Sequence, residues 1–216
     1  MSIELEKTFF AVINNLNKMA SEDRFQEKAE LAFNLYTRKV GTIFPEDDSY
    51  DARISLFLEW FIFDFMLTED GATILDVYKD EMARGSDQEL LIISALKNHV
   101  RDIFLVKGSK NGVAKVKALY KDKIYTLSCG HLGDLFVKGG LFEARVVELD
   151  GKLLPTQGIC HHPAETLRFI KSEIKRIEGS NGSVPDSLFC KLTRSSIKLE
   201  RSRYIDASQI YETPDK

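Results

Sequence analysis

The chain has 216 residues, 44% hydrophobic and 29% charged, with a formal net charge of −3, so it can bury a full core and is not composed to stay disordered. No apolar run approaches the ~20 residues that cross a bilayer, and the start, Met1-Ser2-Ile3-Glu4-Leu5-Glu6, is acidic where a secretion signal is basic. Cys129, Cys160 and Cys190 are an odd number at wide spacing, which argues against a disulfide framework and for reduced thiols in the cytoplasm.

Ile3, Phe9, Phe10, Val12, Ile13, Leu16 and Met19 recur at helical intervals, and Ser21 offers an oxygen to cap a second helix carrying Phe25, Ala29, Ala32, Phe33 and Tyr36. Gly41 can end that helix in the left-handed conformation. After the acidic loop Glu46-Asp47-Asp48-Ser49, residues 53–67 are apolar nearly all round and hold the only Trp, Trp60, which predicts a central helix. Its carboxylates Glu59 and Asp64 diverge by ~140° on a helix, too far for a paired acid/base site, so each is expected to meet a helix end or an arginine. Arg53 and Asp64 lie within ~20° of one face. Thr73 reads as the cap of a short fourth helix, and Ser86-Asp87-Gln88-Glu89 as a capping box before a fifth, lined by Leu90, Ile93, Leu96, Val100, Ile103 and Phe104.

After Gly108 the apolar period becomes two. A hairpin is expected from Val113 to Ser128 around Lys121-Asp122-Lys123, followed by short strands at 135–137, 142–149 and 153–159 with a turn at Asp150-Gly151. A helix follows at 163–177, then a Gly/Ser-rich linker at 179–183. Residues 188–192 suit a helix, and 197–205 a strand or extended arm. The fold class is α+β: a helical bundle at 1–105, a small antiparallel β unit with a closing helix at 106–178, and a linker with a basic arm at 179–216.

Three stretches carry a resemblance. Phe57-Leu58-Glu59-Trp60-Phe61-Ile62-Phe63-Asp64 precedes Gly71-Ala72-Thr73-Ile74-Leu75; Asp102-Ile103-Phe104-Leu105-Val106 runs into the strand pair; and Gly133-Asp134-Leu135-Phe136-Val137 precedes Phe142-Glu143-Ala144-Arg145-Val146-Val147. In this order, over roughly residues 50 to 170, the chain resembles an uncharacterised bacterial family whose members often end in a zinc-binding SEC-C tail. That cysteine-rich tail is lacking here, and the resemblance implies a fold without a known activity.

Charge is divided unevenly: residues 1–105 hold 11 Lys+Arg against 20 Asp+Glu, and residues 106–216 hold 19 against 13. A basic half can meet an acidic partner or attract its own acidic half. Basic residues Arg168, Lys171, Lys175, Lys198, Arg201 and Arg203, with Tyr204 and Tyr211 nearby, form the candidate contact surface for a nucleic acid or a protein. Cys129, His131, Cys160 and His162 are the candidate zinc ligands, and Cys160 with His162 is the sequence-local candidate for a thiol nucleophile and base. The aromatic block around Trp60 suits a core.

The function expected from these features is a non-enzymatic binding or regulatory protein whose basic half makes the contact. Two alternatives stand beside it: a zinc-supported or thiol enzyme built on the Cys/His cluster, and a structural subunit that self-assembles through its charged halves. No catalytic residue and no cofactor other than zinc is indicated, no membrane partner is expected, and no pattern sets an oligomeric state.

Overall fold

The computed structural model describes residues 3–82, 85–129, 136–177, 186–202 and 204–213. The 3.6-residue spacing of the first half is realised as helices. α1 (Ile3–Ala20) buries Phe9, Val12 and Leu16, and α2 (Gln26–Val40) buries Ala32, Tyr36 and Val40 before Gly41, at φ 97°, ends it. Ser21 does not cap the second helix. Its hydroxyl donates back to the Asn17 carbonyl at 3.0 Å, and the chain passes through a 3-10 turn (Asp23–Phe25) into α2 with no side-chain cap.

α3 (Tyr50–Phe63) is the central helix, packed against α1, α2 and α4. Trp60 touches the rings of Tyr36 and Phe65, so the aromatic block is core. The helix is shorter than the apolar block: it stops at Phe63, and Asp64 is the C-cap at φ −120°. α4 (Ile74–Glu81) and α5 (Asp87–Lys97) both begin with capping boxes, Thr73 with Asp76 and Ser86 with Glu89.

The fifth helix ends earlier than its apolar spacing predicts. Asn98 caps it, and Val100, Ile103 and Phe104 belong to strand β1 (Val100–Lys110), which pairs with a neighbour on each side. Cross-strand pairing overrides a spacing that suits either structure. β2 (Val113–Ala118), β3 (Lys123–Ser128), β4 (Leu141–Leu149), β5 (Lys152–Pro155) and β6 (Cys160–His162) follow. The strand expected at 153–159 ends at Pro155, and residues 156–159 lead without strand pairing into the separate β6. Phe136 and Val137 are not in a strand, and Leu135 lies outside the described residues.

The strand order is β1-β2-β3-β5-β4, closed by β1–β4, with β6 paired to the start of β4 on the edge opposite β1, where β5 pairs with its end; every pairing is antiparallel except β3–β5. The β unit is therefore mixed, a five-stranded closed barrel with the connectivity of an OB fold. Asn111-Gly112 and Asp150-Gly151 take positive φ at both positions, as two-residue hairpin turns demand. Phe104, Val116, Leu127, Phe142 and Val146 fill the barrel.

α6 (Leu167–Ile177), α7 (Asp186–Arg201) and α8 (Ala207–Glu212) complete the chain. Residues 197–201 are the last turn of α7, not a strand: Leu188, Leu192 and Ile197 keep helical spacing and are buried. Ile170, Ile174, Leu188, Leu192 and Tyr211 pack on the outward residues Ile103, Leu119 and Leu141 of the barrel wall. The helical core takes in Val147, Leu149 and Leu154 from the barrel and Ile197 from α7, so the two halves share a hydrophobic seam. No helix among the described residues is long and apolar enough to cross a membrane.

Candidate functional site

Cys129 follows β3 and packs with the barrel interior. Cys160 and His162 sit in β6 opposite Glu143 and Leu141, on the outward face of the same wall. The wall thus separates Cys129 from the other two, while His131 lies outside the described residues. Among the described residues no group of three His, Cys, Asp or Glu is arranged to hold a metal ion. His162 Nδ1 is 2.9 Å from the Tyr211 hydroxyl, and burial pushes its pKa down to about 3, leaving the ring neutral. Burial pushes the Cys160 and Cys190 thiols up to about 12 and Cys129 up to about 11, the reverse of what a nucleophilic thiolate needs.

The basic residues of the C-terminal half divide into two sets. Arg201 of α7 turns inward, onto the acidic loop of the helical half. Arg201 donates from Nε and Nη2 to both oxygens of Asp47 (3.0 and 2.6 Å) and from Nη2 to the Thr42 carbonyl (2.7 Å). Arg53 also donates to Asp47 (2.8 Å) and to Glu200, whose carboxylate accepts from the Ser49 hydroxyl at 2.6 Å. Arg53 therefore does not pair with Asp64. The hydrogen bond from Arg201, reinforced by the Phe44 amide and the charge of Arg53, pulls the Asp47 pKa down to about 2. Lys198 is exposed on the same helix, and Arg203 lies outside the described residues. The second set, Arg168, Lys171 and Lys175, lies at i, i+3 and i+7 on the exposed face of α6.

Ile170 and Ile174 of α6 pack in one cluster with Leu119 and Tyr120, which brings α6 up to the β2–β3 turn. There the basic face continues onto the barrel. Residues 106–128 contain six lysines, Lys107, Lys110, Lys115, Lys117, Lys121 and Lys123, against one carboxylate, Asp122. All but Lys117 are exposed. Lys107 and Lys110 lie at the end of β1, Lys121 in the turn and Lys123 at the start of β3, and alternation explains the two on β2. On β2, Ala114, Val116 and Ala118 point inward while Val113, Lys115 and Lys117 point outward, opposite Ser128, Thr126 and Ile124 of β3. C-terminal helices cover the outer face of β1 and β4 but leave this β2–β3 face open.

A second charged site lies at the seam. β4 is buried on both faces along nearly its whole length. Its inward residues are Phe142, Ala144 and Val146, and its outward residues run Leu141, Glu143, Arg145, Val147, Leu149. The helices cover that outward side, so Glu143 and Arg145 are fully buried. Arg145 donates to Glu59 (Nη1, 3.4 Å), to Asp64 and to His99 Nε2 (Nε, 3.2 Å). Glu59 and Asp64 diverge on an ideal helix yet meet one guanidinium, because Asp64 has already left the helix at its C-cap. Glu59 also accepts from the Gly158 amide, and a Cβ at residue 158 would stand 2.6 Å from the Glu59 carboxyl carbon.

Arg101 pairs across the ladder with Arg145, a like-charge pair that needs carboxylates around it. Glu143 accepts from Arg101 Nη2 at 2.7 Å and Asp186 from Nη1 at 3.1 Å, and the guanidinium lies 4.0 Å over the Phe189 ring. Burial holds the Glu143 pKa above the carboxylate range despite Arg101, and Oε2 of Glu143 has no hydrogen-bond partner among the described residues. Because Arg145 Nε can only donate, His99 Nε2 accepts, and His99 Nδ1–H donates to the Leu96 carbonyl at 2.8 Å. Burial, then the charge of Arg145, hold the His99 pKa below the ordinary value. Above this network opens a cleft of about 420 Å³, with Trp60 and Asp64 from α3, Tyr120 and Lys121 from the β2–β3 turn and Asp186 from α7 in its walls.

Periodicity places the helical carboxylates and the lysines in the sequence. It does not reveal Arg101, Glu143 and Arg145, because a charged residue in the outward phase of a strand normally faces water. The signal present in the sequence was the pair of isolated carboxylates in the apolar helix, each of which demanded a cation. No curated protein and no solved structure matches the chain. A family model does match, over residues 11–187, which takes in all three stretches of the resemblance, and the chain belongs to that family of unknown function, DUF7986.

Proposed function

We propose that the protein is a non-enzymatic binding protein that carries a single strand of nucleic acid on the lysine-lined face of β2 and β3. The observation that carries this reading is the ratio of six lysines to one carboxylate over residues 106–128, a segment that runs from the end of β1 through β2 and β3 and leaves five of the six exposed. OB-type barrels offer that same β2–β3 face to oligonucleotides. The fold is only an analogy, so the reading rests on the charge. Neighbouring strands are ~4.8 Å apart, which makes the face wide enough for one phosphate backbone. The outward residues of β2 and β3 are lysines, hydroxyls and aliphatics without an aromatic ring. Phosphate contact therefore dominates over base stacking, sequence preference is weak, and affinity falls steeply with salt. The acidic helical half repels the strand and confines it to the barrel. Arg168, Lys171 and Lys175 of α6 extend the track beyond the β2–β3 turn.

Anisotropy of a labelled single-stranded oligonucleotide, titrated with protein at several salt concentrations, tests the proposal. Saturable binding that weakens linearly in a log–log plot against salt is expected. An absence of binding at low salt removes nucleic acid as the partner and leaves an acidic protein surface for the same lysines.

A further inference from the structure

We infer that the cleft at the seam takes one nucleotide of the bound strand, the terminal one, as a planar heterocycle joined to a phosphate; this rests on the strand-binding reading above. The cleft, at about 420 Å³, lies in the ~300–1,000 Å³ range of small-molecule sites, and its walls come from both halves of the chain. Three features fix the ligand class.

The first is aromatic surface. Trp60, Tyr120 and Phe189 line the cleft; Arg101 already lies 4.0 Å over Phe189 and Lys39 5.1 Å over Trp60, which leaves half-buried Tyr120 as the ring for a flat heterocycle. The second is cationic charge. Lys39 on α2, Arg101 on β1 and Lys121 at the β2–β3 turn line the cleft together with the carboxylates Asp64 and Asp186. Lys39 Nζ is 3.1 Å from Asp186 and 5.1 Å from the centre of the Trp60 ring, so cation and ring are presented together. The third is a fixed acceptor. Asp64 is bound by Arg145 from below, yet its side chain is one-third exposed, leaving carboxylate surface for a ring amino group. The buried Glu59–Arg145–Asp64 and Glu143–Arg101–Asp186 links hold these groups in place before a ligand arrives.

Lys121 connects the two sites. It lines the cleft and also belongs to the lysine series of residues 106–128, so a strand on the barrel face reaches the cleft at the β2–β3 turn.

Trp60 is the only Trp in the chain, which makes its fluorescence a reporter of this cleft alone. The experiment titrates the full chain with adenosine monophosphate, with adenosine and inorganic phosphate as separate controls, correcting for ligand absorbance against free tryptophan. A saturable change with the mononucleotide is expected, with neither fragment matching it. The double variant Lys39→Ala, Lys121→Ala, at two exposed positions, should weaken the mononucleotide roughly tenfold or more, the loss of charge-assisted hydrogen bonds. Lys107→Ala, Lys110→Ala, Lys115→Ala should weaken oligonucleotide anisotropy and leave the mononucleotide response unchanged. No saturable response to the mononucleotide, or one that the Lys39/Lys121 variant leaves untouched, overturns the inference even if oligonucleotides bind. A mononucleotide response without oligonucleotide binding overturns the strand face and the terminal-nucleotide assignment, while leaving the cleft as a mononucleotide site.

Discussion

The seam and the β2–β3 face are both built from charged side chains on the outward phase of barrel strands, and they differ in what lies above them. At the seam, helices cover Glu143 and Arg145, and each charge is matched by an opposite one within the protein. On the β2–β3 face no helix among the described residues covers the lysines, and carboxylates are scarce. Buried pairs lose hydration that their mutual attraction only partly restores, so they are sensitive to the removal of either partner. Exposed lysines cost the fold little and keep their charge for something outside it. The same strand periodicity thus produces a structural clamp in one place and a contact surface in the other.

The largest effect should come from breaking the clamp. Arg145→Ala leaves buried Glu59, and the one-third exposed Asp64 beside it, without their shared cation and should lower stability by about 3–5 kcal/mol in urea denaturation. A loss under about 1 kcal/mol would mean that water reaches those carboxylates freely and that the seam resembles the surface after all.

The opposite signature is expected on the other face. Lys107→Ala, Lys110→Ala, Lys115→Ala should change stability by no more than about 0.5 kcal/mol. It should weaken single-strand binding roughly 50-fold at physiological salt and lower the log–log salt slope by about 2, three lost phosphate contacts at ~0.7 each. A stability loss comparable to that of Arg145→Ala would erase the distinction between the two faces.

Between these extremes lies the staple of α7 on the acidic loop, where the side chains are paired but reach the surface. Asp47 has its pKa lowered from 3.8 to about 2, first by the hydrogen bond from Arg201. A depressed carboxylate pKa adds stability above its unfolded value, and that contribution disappears as pH falls through the folded value. Urea midpoints should therefore drop between about pH 4 and pH 2, and Arg201→Ala should flatten that part of the profile. An unchanged slope in the variant would transfer the acid sensitivity to other carboxylates.

The sequence was most legible where one local rule decided the outcome. Apolar spacing identified α1, α2 and α3, and the aromatic density of residues 57–65 identified the core helix. Glu59 and Asp64 were expected to meet a helix end or an arginine, because a lone buried carboxylate is costly, and both meet Arg145. Legibility failed where two parts of the chain had to meet. Val100, Ile103 and Phe104 suit a helix by spacing, but pairing with β2 and β4 makes them strand. Arg101 and Arg145 carry no local mark of burial, since the helices that cover them come from elsewhere in the chain. Arg201 looked like part of a basic arm because its partner Asp47 is 154 residues away.

The smallest contrast concerns two serines at helix starts, both with exposed hydroxyl hydrogen bonds. Ser86 accepts from the Glu89 amide while Glu89 accepts from the Ser86 amide, so two backbone donors of α5 depend on the pair. Ser21, assigned the same task by its position, donates instead to the Asn17 carbonyl of the last turn of α1, while its amide goes to the Lys18 carbonyl. Ser86→Ala should cost about 1 kcal/mol in urea denaturation, the usual value of a lost cap. Ser21→Ala should stay within about 0.5 kcal/mol. Equal losses would show that Ser21 supports the α1–α2 junction by more than this one bond, and that residue type near a helix start was the better guide.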